Sequence, residues 1–420
     1  MLYLFERAHI GSVRDAATIV VTMSPAPSIH GDVAAGFGPV ADAFRRNFTH
    51  HAEIGAAVAV YAGDEPLVDL WAGHRDRKRE VAWERDTIVP VFSSSKGMSA
   101  FAIAAAVAHG LLDYEEPVAR YWPEFAEHGK ERITVRQLID HQAGLSGLDR
   151  IVKLGELTDR DALAAVLAAQ KPAWQPGTRH GYHALTLGLY QSELLRRVDP
   201  AGRSLGRFFA EEIAEPVDAD LFIGLPATEP MERVAQLSAT KGLDILRYEL
   251  ADIPVRIGAE VYAKRGLSYA ALTNPRPGAP ARAARREFLE IEWPGMNGVG
   301  NARALARVYG AAAGRTGALP ITDEVLDRLA AADTADDVPA EDLVLHTKSR
   351  YHLGFRKSRG SFRFGSDKRA YGTTGLGGSF GFADPTTGLG FGYSMNRLGM
   401  AILDDVRSRN LREALLRCAR

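Results

Sequence analysis

Strand-forming runs gather at the two ends of this 420-residue chain, and the long middle reads as helix and loop. Near the start, "IGAAVAVYAGDEPLVDLWAG" (54–73) gives two strands joined by a Gly63-Asp64 turn. Near the end, "SRYHLGFRK", "SFRFG" and "GSFGFADPTTGLGFGYSMN" are short apolar runs broken by Gly and Asp-Pro turns, the texture of an antiparallel meander. The pattern points to one α/β unit made from both ends, residues 30–110 and 301–420. A mostly helical unit, residues 111–300, interrupts it, with a cleft between the two. Phe37, Val40, Phe44 and Phe48 make a helical stripe over 37–48, and "ALTLGLYQSELLRRV" (184–198) predicts a clear helix. "TVRQLIDHQAGLSGL" reads as a helix closed by Gly144, "NPRPGAPARAA" (274–284) as a loop, and 403–418 as a final amphipathic helix.

Composition narrows the function. Basic and acidic residues number 51 and 52, a net charge of −1, which argues against a nucleic-acid binder. The densest basic run, "RKSRGSFRFGSDKR" (356–369), reads as a solvated hairpin around Gly360 in preference to an anion-binding patch. Cys418 is the only cysteine, so neither an internal disulfide nor a thiolate metal cluster is available. The twelve histidines form no metal signature: His50 and His51 are adjacent, and His180 and His183 lack a nearby carboxylate in sequence. His141 reads as a structural residue at a helix end. No metal, cofactor or membrane partner is expected, because no apolar run approaches the ~18–20 residues of a spanning helix. Residues 1–29 read as an N-terminal extension without a proper signal-peptide core, with Met23 as an alternative start, and a cytoplasmic protein is the expectation.

Between these regions stands "PVFSSSKGMSAFAIAAAVAHG" (90–110), three serines and a lysine followed by a small-residue helix apolar nearly all round. Ser-x-x-Lys occurs twice, at Ser93…Lys96 and at Ser238…Lys241, so the spacing alone is weak. On a helix, residues three apart share a face, so Ser93 meets Lys96, whereas Ser95 lies about 100° and Ser94 about 200° away. Ser93 also sits where a strand-like segment turns into a helix, and free N–H groups there favour an oxyanion. Helix capping is the plain job for a serine at such a junction, and it would not call on Lys96. Ser238 precedes an irregular, proline-broken stretch and reads as a loop serine.

Further along, "PGTRHGYHALTLG" places Tyr182 ahead of a helix, and "YGTTGLGGSFGF" offers a Gly-rich strand. In this order, Ser93-Ser94-Ser95-Lys96, Tyr182 and Thr373-Thr374-Gly375 resemble the three motifs of the serine β-lactamase and penicillin-binding-protein superfamily, in particular class C β-lactamases and family VIII carboxylesterases. "ARYWPEF", "LIDHQAGLSGL", "NGVGNARALARVY" and "GFADPTTGLGFGYSMNR" are similar as well. The resemblance runs from about residue 30 to the end. It implies an α/β (α+β) fold of β-lactamase/transpeptidase type, an antiparallel sheet flanked by helices plus a mostly helical inserted domain. It makes Ser93 the acylated nucleophile, Lys96 its partner in proton transfer and Tyr182 the second base. The N–H groups of Ser93 and Leu376 match the oxyanion hole, and Thr373, Thr374 and Gly375 the substrate strand. His183 is a further candidate for the cleft wall.

Two departures bear on substrate. The Tyr-x-Asn motif is Tyr182-His183-Ala184, and the Lys-Thr-Gly motif is Thr373-Thr374-Gly375. With the amide and the ammonium both gone, a small neutral short-chain ester is the expected substrate and β-lactam turnover is expected to be weak. A β-lactamase, a D-amino-acid peptidase or an acyltransferase would use the same machinery. Either Lys96 or Tyr182 can act as a base near pH 7 only if its pKa falls, Lys through burial and Tyr through a neighbouring cation. Gly377-Gly378-Ser379-Phe380-Gly381 fits the esterase elbow Gly-x-Ser-x-Gly, but no histidine follows it and a hairpin stands where a helix is required. A non-catalytic binding protein on the same scaffold would be signalled by loss of Ser93, Lys96 or Tyr182, and all three are retained.

Overall fold

Eight strands pair into one antiparallel sheet, and its order explains why strand texture appears at both ends of the sequence. The computed structural model describes residues 27–419 apart from 241–243, 246–247, 249–251, 253, 279–281 and 333–337. Most of the expected N-terminal extension, Met23 included, and Lys241 lie outside the described residues. The strands are β1 (Ile29–Val33), β2 (Gly55–Ala62), β3 (Glu65–Gly73), β4 (Tyr351–His352), β5 (Phe355–Lys357), β6 (Tyr371–Thr374), β7 (Phe380–Asp384) and β8 (Leu389–Met395). They lie side by side as β1-β3-β2-β8-β7-β6-β5-β4. The two ends of the chain meet at the β2–β8 ladder, which runs from Ala62 opposite Leu389 to Ala56 opposite Met395. The Gly63-Asp64 turn joins β2 to β3 as the sequence predicts, with Gly63 at φ +61°.

Alternation along β8 sets what covers each face. Gly390 and Gly392 face the helix α5 (Ala302–Gly314): a Cβ on Gly390 would lie 2.0 Å from Gly310 N, and one on Gly392 2.1 Å from Ala302 O. The intervening Phe391 and Tyr393 face the other way, towards α1 (Gly38–His50) and the C-terminal α6 (Val406–Cys418), whose apolar stripes pack together. The helix α2 (Ser95–Ala108) is buried over all of 95–106, as a sequence apolar nearly all round implies. Two further helices, α3 (Val135–Ile139) and α4 (Leu187–Val198), belong to the middle of the chain.

Deep on the α6 face sits an ionic cluster. Arg407 pairs with Glu53 at 3.0 Å and Asp405 at 2.9 Å, all three fully enclosed, and Tyr393 donates its O–H to Glu53. The Arg407 charge holds the Asp405 carboxyl low, whereas burial wins at Glu53 and raises it. Arg407 also donates to Arg397 O and Gly377 O, at 2.9 and 2.6 Å, and Asn47 of α1 donates to Arg407 O. Through its side chain and its backbone, Arg407 thus ties α1, the segment after it, the strand region and the loop after β6. Removing one partner of such a pair typically costs about 3–5 kcal/mol, because the other charge stays buried alone.

Two sequence expectations need correction. The helix read over "TVRQLIDHQAGLSGL" stops at Ile139: Thr134 and Gln137 form a capping box at its start, and His141 at φ +64° reverses the chain. The backbone beyond it is used differently, with Leu145 N–H and Leu145 C=O bonding His183 and Thr186. In the basic run, a turn does form at Gly360 between Arg359 and Phe362, yet Arg356 and Lys357 on β5 are buried, not solvated. Lys357 donates to Leu329 O and Arg369 O, and burial pulls it down to about 7. Among the described residues no helix is long and apolar enough to cross a membrane.

The contact of α5 with bare β8 backbone is testable. Gly390→Val forces a side chain into the α5 backbone, and overpacking of this kind costs about 1–3 kcal/mol or more. The expected result is a melting temperature several degrees lower, or insoluble protein. Gly155→Ala, at a position with open space around it, should melt within about a degree of the parent, as neutral surface substitutions do.

Candidate active site

The turn that carries the serines is shaped before any chemistry is considered. Val89–Pro90 pairs with Val299–Gly300, and Val91 N–H donates to Gly298 O at 2.9 Å. Phe92 then takes φ +48°, a strained value for a side chain of its size. A single 3-10 turn, Phe92–Ser94, follows before α2 begins. Each serine has a separate duty. Ser95 Oγ donates back to Phe92 O, and Ser94 Oγ pairs with Ser379 Oγ at 2.9 Å; both serines are fully enclosed. Ser93 is the half-exposed one, and its Oγ lies 3.2 Å from Lys96 Nζ. The two therefore meet as the three-residue spacing requires, with Ser93 on the turn rather than inside the helix.

Lys96 is 3% exposed and has no acidic partner among its hydrogen bonds. Its Nζ donates to Ala184 O at 2.7 Å and Gly295 O at 2.8 Å, carbonyls from two separate segments. Burial alone lowers it to about 7, as a low dielectric disfavours the ammonium. Sequence reasoning missed Gly295. Its φ of +78° turns the carbonyl inward, and the run "WPGMNG" was the available signal.

Tyr182 is 9% exposed, its phenol close enough to Ser93 for that hydroxyl to act on its pKa, with Lys96 Nζ 4.8 Å from its ring centre. Asp342, also missed, fixes its backbone: Oδ1 accepts Tyr182 N–H at 3.1 Å, and Oδ2 accepts Ser349 and Tyr351 hydroxyls. The expectation that Tyr182 becomes more acidic is overturned. Burial pushes its phenol up to about 12, outweighing the Ser93 hydroxyl and the Arg356 charge. At neutral pH it is a proton donor.

His183 is not a cleft residue. It is fully buried, Nδ1 bonds Gly181 O at 2.6 Å, and Nε2 accepts Leu145 N–H at 2.9 Å. Burial lowers it to about 4, which keeps the ring neutral. His141 accepts His183 N–H at 3.0 Å and is likewise structural.

Strand β6 brings the third motif against the serine turn. Thr373 faces inward: its Oγ1 donates to Ser94 O at 2.9 Å and sits 3.0 Å from Tyr309 OH, so the hydroxyl is already engaged within the protein. Thr374 points to the opposite face, where Arg356 Nη1 approaches its Oγ1 at 3.4 Å. Gly375 allows the close approach, since a Cβ there would lie 2.1 Å from Ser379 Oγ and 2.3 Å from Val91 O. Ser379 Oγ donates to Val91 O at 2.7 Å, a structural stitch in place of a nucleophile. Leu376 opens the short turn Leu376–Gly378, whose Gly377 carbonyl is the one gripped by Arg407. Ser238 lies on a two-residue strand beside Arg397, with its N–H bonded to Asn396 O. Among the described residues no cluster of His, Cys, Asp or Glu could hold a metal ion.

The sequence matches the Beta-lactamase family over residues 40–416. The chain belongs to that family. It is 37% identical over 366 residues to the Esterase/beta-lactamase LipL of Mycobacterium tuberculosis, covering 86% of this chain and 81% of that one. A crystal structure of a family VIII carboxylesterase superposes with TM-score 0.81 at 37% identity, over 93% of this chain and all of the other. A penicillin-binding protein homologue from Caulobacter crescentus gives 0.80 at 35% identity, with the same coverage. Against the family's motifs, the position of the Asn amide is held by Ala184, which contributes a backbone carbonyl to Lys96 instead of a side chain to the cleft.

The division of labour among the serines predicts their stability effects. Ser379→Ala strips the buried Val91 carbonyl and Ser94 hydroxyl of a partner and should destabilise by about 1–3 kcal/mol. Ser93→Ala, at a half-exposed site, should stay within about 0.5 kcal/mol. Thermal or urea melts of the two variants compare them directly.

Proposed function

We propose that this β-lactamase-family protein is a serine hydrolase that cleaves short-chain carboxylic esters through an acyl-enzyme on Ser93. The observation that carries the reading is the half-exposed Ser93 hydroxyl 3.2 Å from a buried Lys96 whose pKa is lowered to about 7. Neutral Lys96 takes the Ser93 proton as Oγ attacks the ester carbonyl. The N–H groups of Ser93 and Leu376 receive the oxyanion, the geometry that stabilises developing charge best. Tyr182, protonated and close to Ser93, gives its proton to the departing alkoxide and is restored by the proton that Lys96 gained. Water then attacks the acyl group with Lys96 again as base, and Lys96 returns that proton to Ser93 Oγ as the Oγ–acyl bond breaks and the acid leaves. The names of the similar LipL and family VIII proteins support esters as the substrate class. Ala184 offers no side-chain amide, which supports weak β-lactam turnover. We also take residues 30–110 with 301–420 as the α/β unit and 111–300 as the helical unit, with the cleft between them.

A fluorophosphonate probe should label Ser93. Label should vanish in Ser93→Ala and persist in Ser238→Ala and in folded Ser379→Ala; any other outcome sinks the assignment. Lys96→Ala and Tyr182→Phe should each lose roughly 10³-fold in kcat, with the double variant little worse, as groups acting as a unit behave. For 4-nitrophenyl butyrate, kcat/KM should rise about tenfold per pH unit up to about pH 7 and then level, because only neutral Lys96 accepts a proton. Tyr182 at about 12 adds no second limb below pH 10. A chromogenic cephalosporin turned over as fast as the butyrate ester would refute the ester preference.

A further inference from the structure

A polar cavity of about 120 Å³ adjoins the support of Tyr182, and none of Ser93, Lys96, Tyr182 or Leu376 lines it. Its wall includes His180, two residues before Tyr182, and Ser349 and Tyr351, whose hydroxyls hold Asp342. Asp342 in turn accepts the Tyr182 N–H. Ser349 spends its proton on Asp342 Oδ2 at 3.1 Å, and therefore accepts from His180 Nε2 at 2.8 Å. Tyr351 spends its own proton on the same carboxylate oxygen at 3.0 Å. The hydrogens of this part of the wall are thus committed to the brace of Tyr182.

Three other groups on the wall are uncommitted. Gln142 is 5% exposed, yet its side-chain amide hydrogen-bonds to no described residue. A buried amide without a partner is costly, and such groups are ordinarily satisfied. Arg350 and Arg359 are half-buried, and among the described residues neither guanidinium has an ion pair or a hydrogen bond. Half-buried arginines elsewhere are paired, Arg203 with Asp199 at 2.9 Å and Arg233 with Asp220 at 2.7 Å. Asp140 is the acidic member of the wall, and its Oδ1 accepts Gly354 N–H at 3.1 Å. With histidine neutral, two arginines against one aspartate leave the wall a formal charge of +1. A cation is therefore disfavoured and an anion drawn in.

We propose that this cavity binds a phosphate group, gripped by Arg350, Arg359 and the Gln142 amide. Guanidinium forks match phosphate oxygens in pairs, and charge-assisted bonds of this kind are the strong ones. A cavity of about 150 Å³ takes a benzene ring, so this smaller one suits the few heavy atoms of a phosphate. Phosphate also keeps a proton near neutral pH, which lowers its charge beside Asp140; sulfate, of the same shape, cannot. The anion lies against Ser349 and Tyr351, and so against the brace of Tyr182, without reaching Ser93. The site stands apart from the ester-hydrolase reading and is tested by binding alone.

Calorimetry in a chloride buffer of fixed ionic strength should show one inorganic phosphate per chain, with Kd of about 1 mM or tighter. Arg350→Met/Arg359→Met should weaken binding about tenfold or more, and Gln142→Leu about threefold, as charge-assisted and neutral contacts are lost. Arg265→Met, at an exposed position outside the cavity, should leave it unchanged. Crystals soaked in arsenate, which protonates as phosphate does, should show the arsenic anomalous peak between Arg350 and Arg359. Ethyl phosphate separates the sources of the group. Weaker binding than phosphate marks the free ion as the ligand, and equal or tighter binding marks a monoester whose organic part leaves by the open side. Sulfate binding as tightly as phosphate would overturn the choice of phosphate. Binding undiminished in the double arginine variant would overturn the site. So would the absence of both heat and a rise in melting temperature at about 20 mM phosphate, a result on the wild-type chain that needs no variant to fold.

Discussion

The site depends on one desolvated ammonium. Lys96 reaches out of a wholly buried helix to the carbonyls of Ala184 and Gly295, which belong to segments over a hundred residues apart. The same two bonds dock the Tyr182 segment and the Gly295 loop onto the serine turn. Forcing the ammonium to stay charged in this place costs roughly 5 kcal/mol relative to water. The sign follows from linkage. The folded chain releases this proton near pH 7 and the unfolded chain only near its ordinary value, so the penalty is complete below pH 7 and fades as pH rises. Function and stability thus pull against each other at Lys96.

Much of this was legible in the sequence, for identifiable reasons. The β2–β3 hairpin announced itself by alternation and a Gly-Asp turn, and α2 by its small apolar residues. The pairing of Ser93 with Lys96 followed from helical spacing, and the two still meet although Ser93 lies on the preceding turn. What escaped was whatever depends on contacts distant in sequence. The Pro-Gly turn of "WPGMNG" is visible locally, but nothing in it says that its carbonyl holds Lys96, and nothing local marks Asp342 as the brace of Tyr182. His183 looked like a cleft residue because it adjoins Tyr182, yet both its ring nitrogens are taken up by backbone groups. Thr373 looked like a substrate contact, and strand alternation turns it towards Ser94 instead. Arg356 was hidden in a basic run that reads as solvent-facing, because burial of a charge leaves no trace in composition.

The turn proposed to receive the oxyanion is braced from behind. Arg407 holds the Gly377 carbonyl with one nitrogen and Glu53 with another, so the turn that presents Leu376 is anchored through the core to the segment after α1. This differs from the support of Lys96, which comes from the helical middle of the chain. Two independent supports therefore serve the proposed site, one holding Lys96 and one the Leu376–Gly378 turn.

The β2–β8 ladder has a consequence for biosynthesis. While the ribosome is still making the middle of the chain, β2 and β3 have emerged with Ser93 and Lys96 close behind, and the inner edge of β2 has no partner. An unpaired strand edge is a sticky surface, as is the mostly apolar α2 that follows it in the chain, and the edge persists until the last strands are translated. Leu376 arrives in that same late stretch. The nascent protein therefore carries Ser93 and Lys96 for most of its synthesis without the strand and turn that would complete the proposed site around them.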